Sequence, residues 1–392
     1  MQWFVLPRRA VRAAAALVLL GAWLGAAPSA QAQYAALVAI DPSASERGLS
    51  TLYHDLSAGL GRALKLPVRV DRSTDFGDVL RSTRTAEYDI YIVPVQVAAS
   101  GLAHGYRVLA DSGQQETFVL VTPAAIDAVA KLKGGRMYLP QQDSIHSYMA
   151  KGLLNEHGLS LKELKTLQYQ KTSGAGLIAL EMGVTDATVT SRTEYEKWAK
   201  TRAGKFRVLL ESKPVPSGLT VLVKKTLPQP LQDRLAQWAE GSGGGIHTLK
   251  AWPDATSYGY VAGLGHFTPA QLPGVKQVGA EEARDLMKQG VVMVDVRSPK
   301  EYAHKHIAGA VLAPYVEKSP KDTAYNGAED DFSAAAKLDK AKPHIFSCNG
   351  AECWKSYKAS KAAAAQGFKA VYWLRGGLPE WDAKGLPVAA GD

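Results

Sequence analysis

Hydrophobic positions along this chain fall into two successive blocks of alternating strand and helix. Residues 35–40 predict a strand, and 48–64 carry helical spacing. Residues 67–70 predict a second strand, 76–83 a short helix, and 88–93 a third strand ended by Pro94. The apolar run 117–121 reads as a strand crossing into a second lobe, which starts at 132–139. A return strand at 219–223 and a helix over 230–239 close the block. This alternation predicts α/β folding with a largely parallel sheet. The glycine-rich stretch 241–245 reads as a flexible loop, and 246–267 as a closing segment. Pro269 and Pro273 place a linker at 268–276, after a first domain at 33–267. A smaller α/β domain then occupies 277–392.

Composition adds a compartment. Residues 1–32 hold Arg8, Arg9 and Arg12 ahead of an apolar run, 13–26, that is short for a membrane span. Ala30-Gln31-Ala32 is an A-x-A cleavage site, so this segment predicts a cleaved signal peptide and an exported, periplasmic protein. Losing three arginines lowers the net charge from +9 to +6, with 43 basic and 37 acidic residues left. That mild basicity suits small anions, and no Lys/Arg-rich run argues for nucleic acid. Neither metal-ligand clustering nor a dinucleotide glycine fingerprint is visible in the sequence, so no metal and no cofactor is expected.

The chain has two cysteines, Cys348 and Cys353, in the stretch S-C-N-G-A-E-C-W-K-S. A predicted strand precedes them and a helix, 354–367, follows. A cysteine at a strand tip, opening a short loop into a helix N-terminus, is placed to ionise, because free N–H groups and the helix dipole favour an anion there. In an oxidising compartment two cysteines also suggest a disulfide. A bridge across so tight a loop gains little entropy. A nucleophilic thiol and a dithiol redox pair both remain open on the residues alone.

Three ordered elements carry a family resemblance in the second domain. These are V-M-V-D-V-R-S-P-K-E-Y-A-H-K-H-I-A-G-A at 292–310, the cysteine loop, and L-R-G-G-L-P-E-W at 374–381. Together they resemble a rhodanese domain, in a C-x4-C-W loop form similar to some exported rhodanese-like proteins. The resemblance implies a sulfurtransferase with Cys348 as nucleophile and Asn349, Gly350, Ala351, Glu352, Cys353, Trp354 and Lys355 as its active-site loop. It implies a donor such as thiosulfate and a thiol or other thiophilic acceptor, with main-chain N–H groups of 349–353 holding the sulfur anion. Lys355 would add positive charge for the donor. Asp295 and Arg297 are expected to form an internal ion pair.

The first domain resembles the periplasmic solute-binding proteins of the phosphate, phosphite and phosphonate type. The resemblance rests on E-Y-D-I-Y-I-V-P at 87–94, L-K-G-G-R-M-Y-L with D-S-I-H-S-Y at 132–148, and A-L-E-M-G-V-T-D-A at 179–187. It implies a two-lobed fold, an oxyanion ligand, and an inner-membrane transporter or redox partner. Ser144 and Ser147 would hold the ligand at a helix N-terminus, with His146 and Arg192 as further candidates. Asp143 suits helix capping equally well. Thr172-Ser173-Gly174 and Ser191-Arg192-Thr193 are further candidate ligand loops. The domain pair also admits a binding or sensing module in which Cys348 and Cys353 act as a thiol/disulfide switch.

Overall fold

The computed structural model describes residues 34–41, 49–241 and 255–391. The expected signal peptide and most of the glycine-rich stretch lie outside the described residues. The first lobe is built from β1 (Tyr34–Ala39), α1 (Leu49–Leu64), β2 (Val68–Ser73), α2 (Phe76–Arg84), β3 (Ile90–Val93), α3 (Val95–Ala103) and β4 (Tyr106–Asp111). The chain crosses through β5 (Gln115–Glu116) and β6 (Phe118–Pro123). The second lobe follows with β7 (Arg136–Leu139), α4 (Ile145–Glu156), β8 (Thr166–Tyr169), α5 (Ser173–Glu181), β9 (Ala187–Ser191), α6 (Arg192–Ala199) and β10 (Phe206–Glu211). It returns through β11 (Val215–Pro216) and β12 (Thr220–Lys224), then α7 (Gln229–Gly241) and α8 (Ala255–Gly263).

The sheet orders are β2-β1-β3-β12-β4 and β10-β6-β9-β7-β8. Both are mixed, which corrects the largely parallel sheet expected from the alternation. The strand that enters each lobe from the other must run against its neighbours: β12 pairs antiparallel with β3 and β4, and β6 with β9 and β10. Period-two alternation buries both faces of the first sheet. Leu37 and Ala39 of β1 join the core under α2 and α3, while Ala36, Val38 and Ile40 join that under α1 and α7.

The second domain comprises β13 (Lys276–Val278), α9 (Ala280–Lys288), β14 (Val292–Asp295), α10 (Pro299–His304), β15 (His306–Ile307), β16 (Val311–Leu312), β17 (Pro343–Ser347), α11 (Trp354–Ala365), β18 (Ala370–Leu374), α12 (Gly377–Ala383) and β19 (Val388–Ala389). Its main sheet, β13-β18-β17-β14-β16, is parallel throughout. β17 lies at its centre, so the loop leaving its carboxyl end emerges from the most rigid strand of the domain.

The stretch expected as a linker is not a free tether. The main-chain N–H and the hydroxyl of Thr268 both donate to the Ala351 carbonyl at 2.8 Å. Arg375 donates to the Thr268 and Pro269 carbonyls. Leu272 is buried with Trp354, Tyr357 and Trp373. Among the described residues no helix is long and apolar enough to cross a membrane.

Candidate functional site

Cys348 follows directly on β17 and is 1% exposed. Cys353 is the N-cap of α11, and both thiols are free. Between them Gly350 takes φ +90°, a left-handed turn open to glycine. Cys353 N–H donates to the Gly350 carbonyl, so this one of the N–H groups expected to hold a sulfur anion is already engaged.

The Cys348 sulfur lies 3.2 Å from the Cys353 carbonyl and 2.9 Å from Ser356 Oγ. Trp373 Nε1 donates to that same Ser356 oxygen at 3.0 Å. The serine hydroxyl hydrogen is thereby free to point at the sulfur. Burial pushes the Cys348 thiol up, as does its contact with Cys353; the Ser356 hydroxyl and N–H work against this. Cys353 behaves oppositely. The Cys348 thiol donates to it, and Arg84, Lys355 and the Asn349 N–H assist, bringing it down to about 6 against the burial that opposes them. Of the two thiols, Cys353 is thus the more acidic.

The signature residues of 292–310 hold this loop from behind. Arg297 makes the expected ion pair with Asp295 at 2.5 Å, both side chains buried. It also donates through Nη1 to Asn349 Oδ1 at 3.1 Å. Asn349 Nδ2 in turn donates to Glu301 Oε1 at 2.6 Å, and Glu301 closes a capping box with Ser298 at the start of α10. The buried side chain of Asn349 is thus oriented from both ends, which fixes the first peptide of the loop. From the other side, Gly377 at φ +58° lets α12 approach, and Leu378 N–H donates to the Cys348 carbonyl at 2.9 Å. A Cβ on Gly377 would overlap that carbonyl and lie 2.6 Å from Gly350 N.

The first domain covers the loop. Arg84, the last residue of α2, pairs with Glu352 at 3.0 Å. Trp354 Nε1 donates to the His266 carbonyl at 2.7 Å. Nearby, Lys321 pairs with Asp143 at 2.5 Å across the domain boundary. The charge of Asp143 is therefore spent on the second domain.

The other candidate ligand residues divide. Ser144 caps α4, accepting from Ser147 N–H at 3.3 Å, and Ser147 Oγ donates to the Gln141 carbonyl. His146 is buried edge-on to Phe118 with Nδ1 unpartnered. Burial lowers its basicity against the fields of Asp41 and Glu194. Gln96, which sequence reasoning passed over, donates to the Asp143 carbonyl while its Oε1 has no partner. Thr172 caps α5, and Ser173 Oγ donates to Glu194 at 2.6 Å. Arg192 stands apart, half-buried and paired with Glu211.

Residues 38–240 match the family model of the ABC transporter, phosphonate, periplasmic substrate-binding protein. The chain belongs to this family. Residues 279–384 match the rhodanese-like domain, so this substrate-binding protein has a rhodanese-like second domain. Thiosulfate sulfurtransferase GlpE of Pseudomonas fluorescens is 34% identical over 106 residues, 27% of this chain and 84% of its own length. Thiosulfate sulfurtransferase 16, chloroplastic, of Arabidopsis thaliana is 29% identical over 115 residues, 29% of this chain and 92% of its own. Among solved structures, PhnD1 from Prochlorococcus marinus, in complex with methylphosphonate, covers 59% of this chain and 97% of its own at 14% identity and TM-score 0.47.

The sequence missed Ser356, Arg84 and the 266–268 segment as parts of the site. Ser356 lies one helical turn after Cys353, a spacing that could have placed it on the face behind the loop. For Arg84, over 260 residues upstream, no local signal exists.

Proposed function

We propose that this protein is an exported, periplasmic sulfurtransferase carrying sulfur on Cys348, coupled to an anion-binding domain. The observation that carries the reading is the Cys348 sulfur held against Ser356 at the carboxyl end of the central strand. The thiosulfate sulfurtransferases similar to its second domain support the same reaction. As donor enters, the Cys348 proton passes to the Cys353 thiolate, a transfer that runs against the two opposed shifts and is drawn forward by the attack that consumes the Cys348 anion. The Cys348 thiolate then attacks the outer sulfur of thiosulfate, the S–S bond breaks, and sulfite leaves with its electron pair. A persulfide anion remains on Cys348, facing Ser356 and the start of α11, whose dipole stabilises it. A thiophilic acceptor removes the outer sulfur and regenerates the thiolate.

The proximity of the two thiols favours a second outcome. Cys353 thiolate can attack Cys348 of the protonated persulfide, forming the Cys348–Cys353 disulfide and expelling hydrosulfide. That would make the pair a redox switch. Intact mass of the reduced full chain after thiosulfate separates these. Gain of one sulfur, lost in Cys348→Ala and kept in Cys353→Ala, supports the carrier. Loss of two hydrogens with sulfide release supports the switch, and no change in mass removes both.

In the first domain, the family match and the unpartnered His146 Nδ1 support a small oxyanion at the start of α4, with Ser144, Ser147 and His146 as its contacts. Arg192, occupied by Glu211, would have to change partner to join them. Calorimetric titration of the full chain with methylphosphonate, phosphate and sulfate tests this, and absence of heat with all three rejects it. Delivery to an inner-membrane transporter would be the use of such binding.

A further inference from the structure

The cysteine loop supplies few positive groups of its own for a doubly charged donor. Its Glu352 is acidic, and Arg297 is committed to Asp295, Asn349 and the Lys305 carbonyl behind the loop. The first domain brings a cation to the front. Arg84 ends α2, and its guanidinium sits over the loop, only 7% exposed, with Nη1 on Glu352. Its Nε is buried and has no hydrogen-bond partner. A buried N–H donor without an acceptor is costly unless something else occupies the site.

A cavity of about 470 Å³ reaches this guanidinium between the domains, lined by His104, Lys305, Pro379, Glu380 and Asp382 besides Arg84. Its acids are engaged: Asp382 with Lys305, and Glu380 with the Ala280 N–H. The cavity wall at Leu378 and Pro379 backs directly onto Cys348 and Gly350. Arg84 thus both lines this cavity and pairs with Glu352 of the cysteine loop.

The geometry points to Arg84 as the donor-binding residue of the sulfur-transfer site, supplied by the solute-binding domain and holding the sulfonate end of thiosulfate once Glu352 yields it. The active site is then composite, completed only when the two domains are packed together. Ligand-driven movement of the first lobe would carry Arg84 toward or away from Cys348. This inference rests on the sulfur-transfer reading above.

The test compares thiosulfate with an uncharged dialkyl trisulfide, whose central sulfur Cys348 attacks to form a mixed trisulfide with release of alkyl thiolate, as donors to the full chain. In Arg84→Gln, KM for thiosulfate rises at least about tenfold, the loss of one charge-assisted contact. Reaction with the trisulfide falls much less than reaction with thiosulfate, since it loses only the field of Arg84 on Cys353, and Arg84→Lys recovers part of the thiosulfate effect. In Glu352→Gln, which frees the guanidinium, KM for thiosulfate falls; an unchanged or raised value there overturns the assignment even if Arg84 variants do not fold. Arg84→Gln behaving as wild type on thiosulfate, or losing both donors equally, also overturns it and leaves sulfur transfer standing. Wild-type protein that accepts sulfur from neither donor removes the sulfur-transfer reading itself.

Discussion

At the scale of single residues, the site is a contest over one proton. Cys348 is buried against a carbonyl that favours its neutral form, and Cys353 stands where donors and cations favour the anion. Iodoacetamide alkylation of the pair should therefore follow an inflection near pH 6, below the ~8.5 of an ordinary thiol. In Cys353→Ser the inflection should move up, because the remaining thiol is the one that burial disfavours as an anion. A rate profile unchanged by that substitution would contradict the assignment. Ser356→Ala deletes the hydroxyl beside Cys348 and leaves Trp373 Nε1 without its acceptor. We expect a loss of about 1–3 kcal/mol in urea unfolding, with slower uptake of sulfur from thiosulfate. Asn349 was legible as a loop member but not as the residue on which Arg297 and Glu301 converge, since that depends on three separate elements meeting.

Between elements, the decisive contact is α12 against the loop after β17. Gly376 and Gly377 belong to the L-R-G-G-L-P-E-W element, and the structure gives the reason for the second glycine. The main chain of Cys348 and Gly350 occupies the place of a side chain, in a left-handed conformation that already disfavours one. Gly377→Ala should cost about 3 kcal/mol or more, read from the urea midpoint, and should displace the loop enough to abolish sulfur uptake. Helix α11 offers a parallel case. Within it Lys358 is fully buried, donating to Ser319 Oγ at 2.8 Å and to its carbonyl. The sequence predicted this helix over 354–367, and it runs over Trp354–Ala365. Helical periodicity could not show that a returning segment, 315–331, would supply the buried acceptors.

On the scale of the whole molecule, the seam between domains also buries charge. Asp143, at the entrance to α4, and Lys321 of the second domain are both largely hidden. Lys321→Met leaves an isolated carboxylate, at a cost of about 3–5 kcal/mol. The double variant Asp143→Leu with Lys321→Met should recover most of it, as a double-mutant cycle on thermal unfolding will report. His266 lies in the same seam, with Asp143, Lys151 and Lys321 around it. Burial lowers its folded pKa to about 4, below an unfolded value of about 6.5. Its contribution is therefore complete above pH 6.5 and is lost as pH falls toward 4, on the order of 3 kcal/mol in all. Asp143 works in the same direction: burial raises its carboxyl, but Lys321 and His266 outweigh this and hold it low, so its support also fades in acid. Stability should fall across pH 6.5–4, and His266→Gln should flatten that slope.

The chain by itself determined the elements, the two-domain order and the cysteine loop, because each depends on local periodicity, turn chemistry and short ordered motifs. The strand 88–93, the helix after Cys353 and the signature residues at 292–310 were all readable within a window of some twenty residues. Only the tertiary structure decided which groups hold and cover the cysteine loop. Arg84, Thr268 and Asn349 are brought to one place from positions 84, 268 and 349 by packing that no local pattern encodes. It also decided that the proline-bearing stretch after 267 is part of the site's cover. Proline and glycine report where a chain turns; what the turned segment then lies against is a property of the surfaces that meet there.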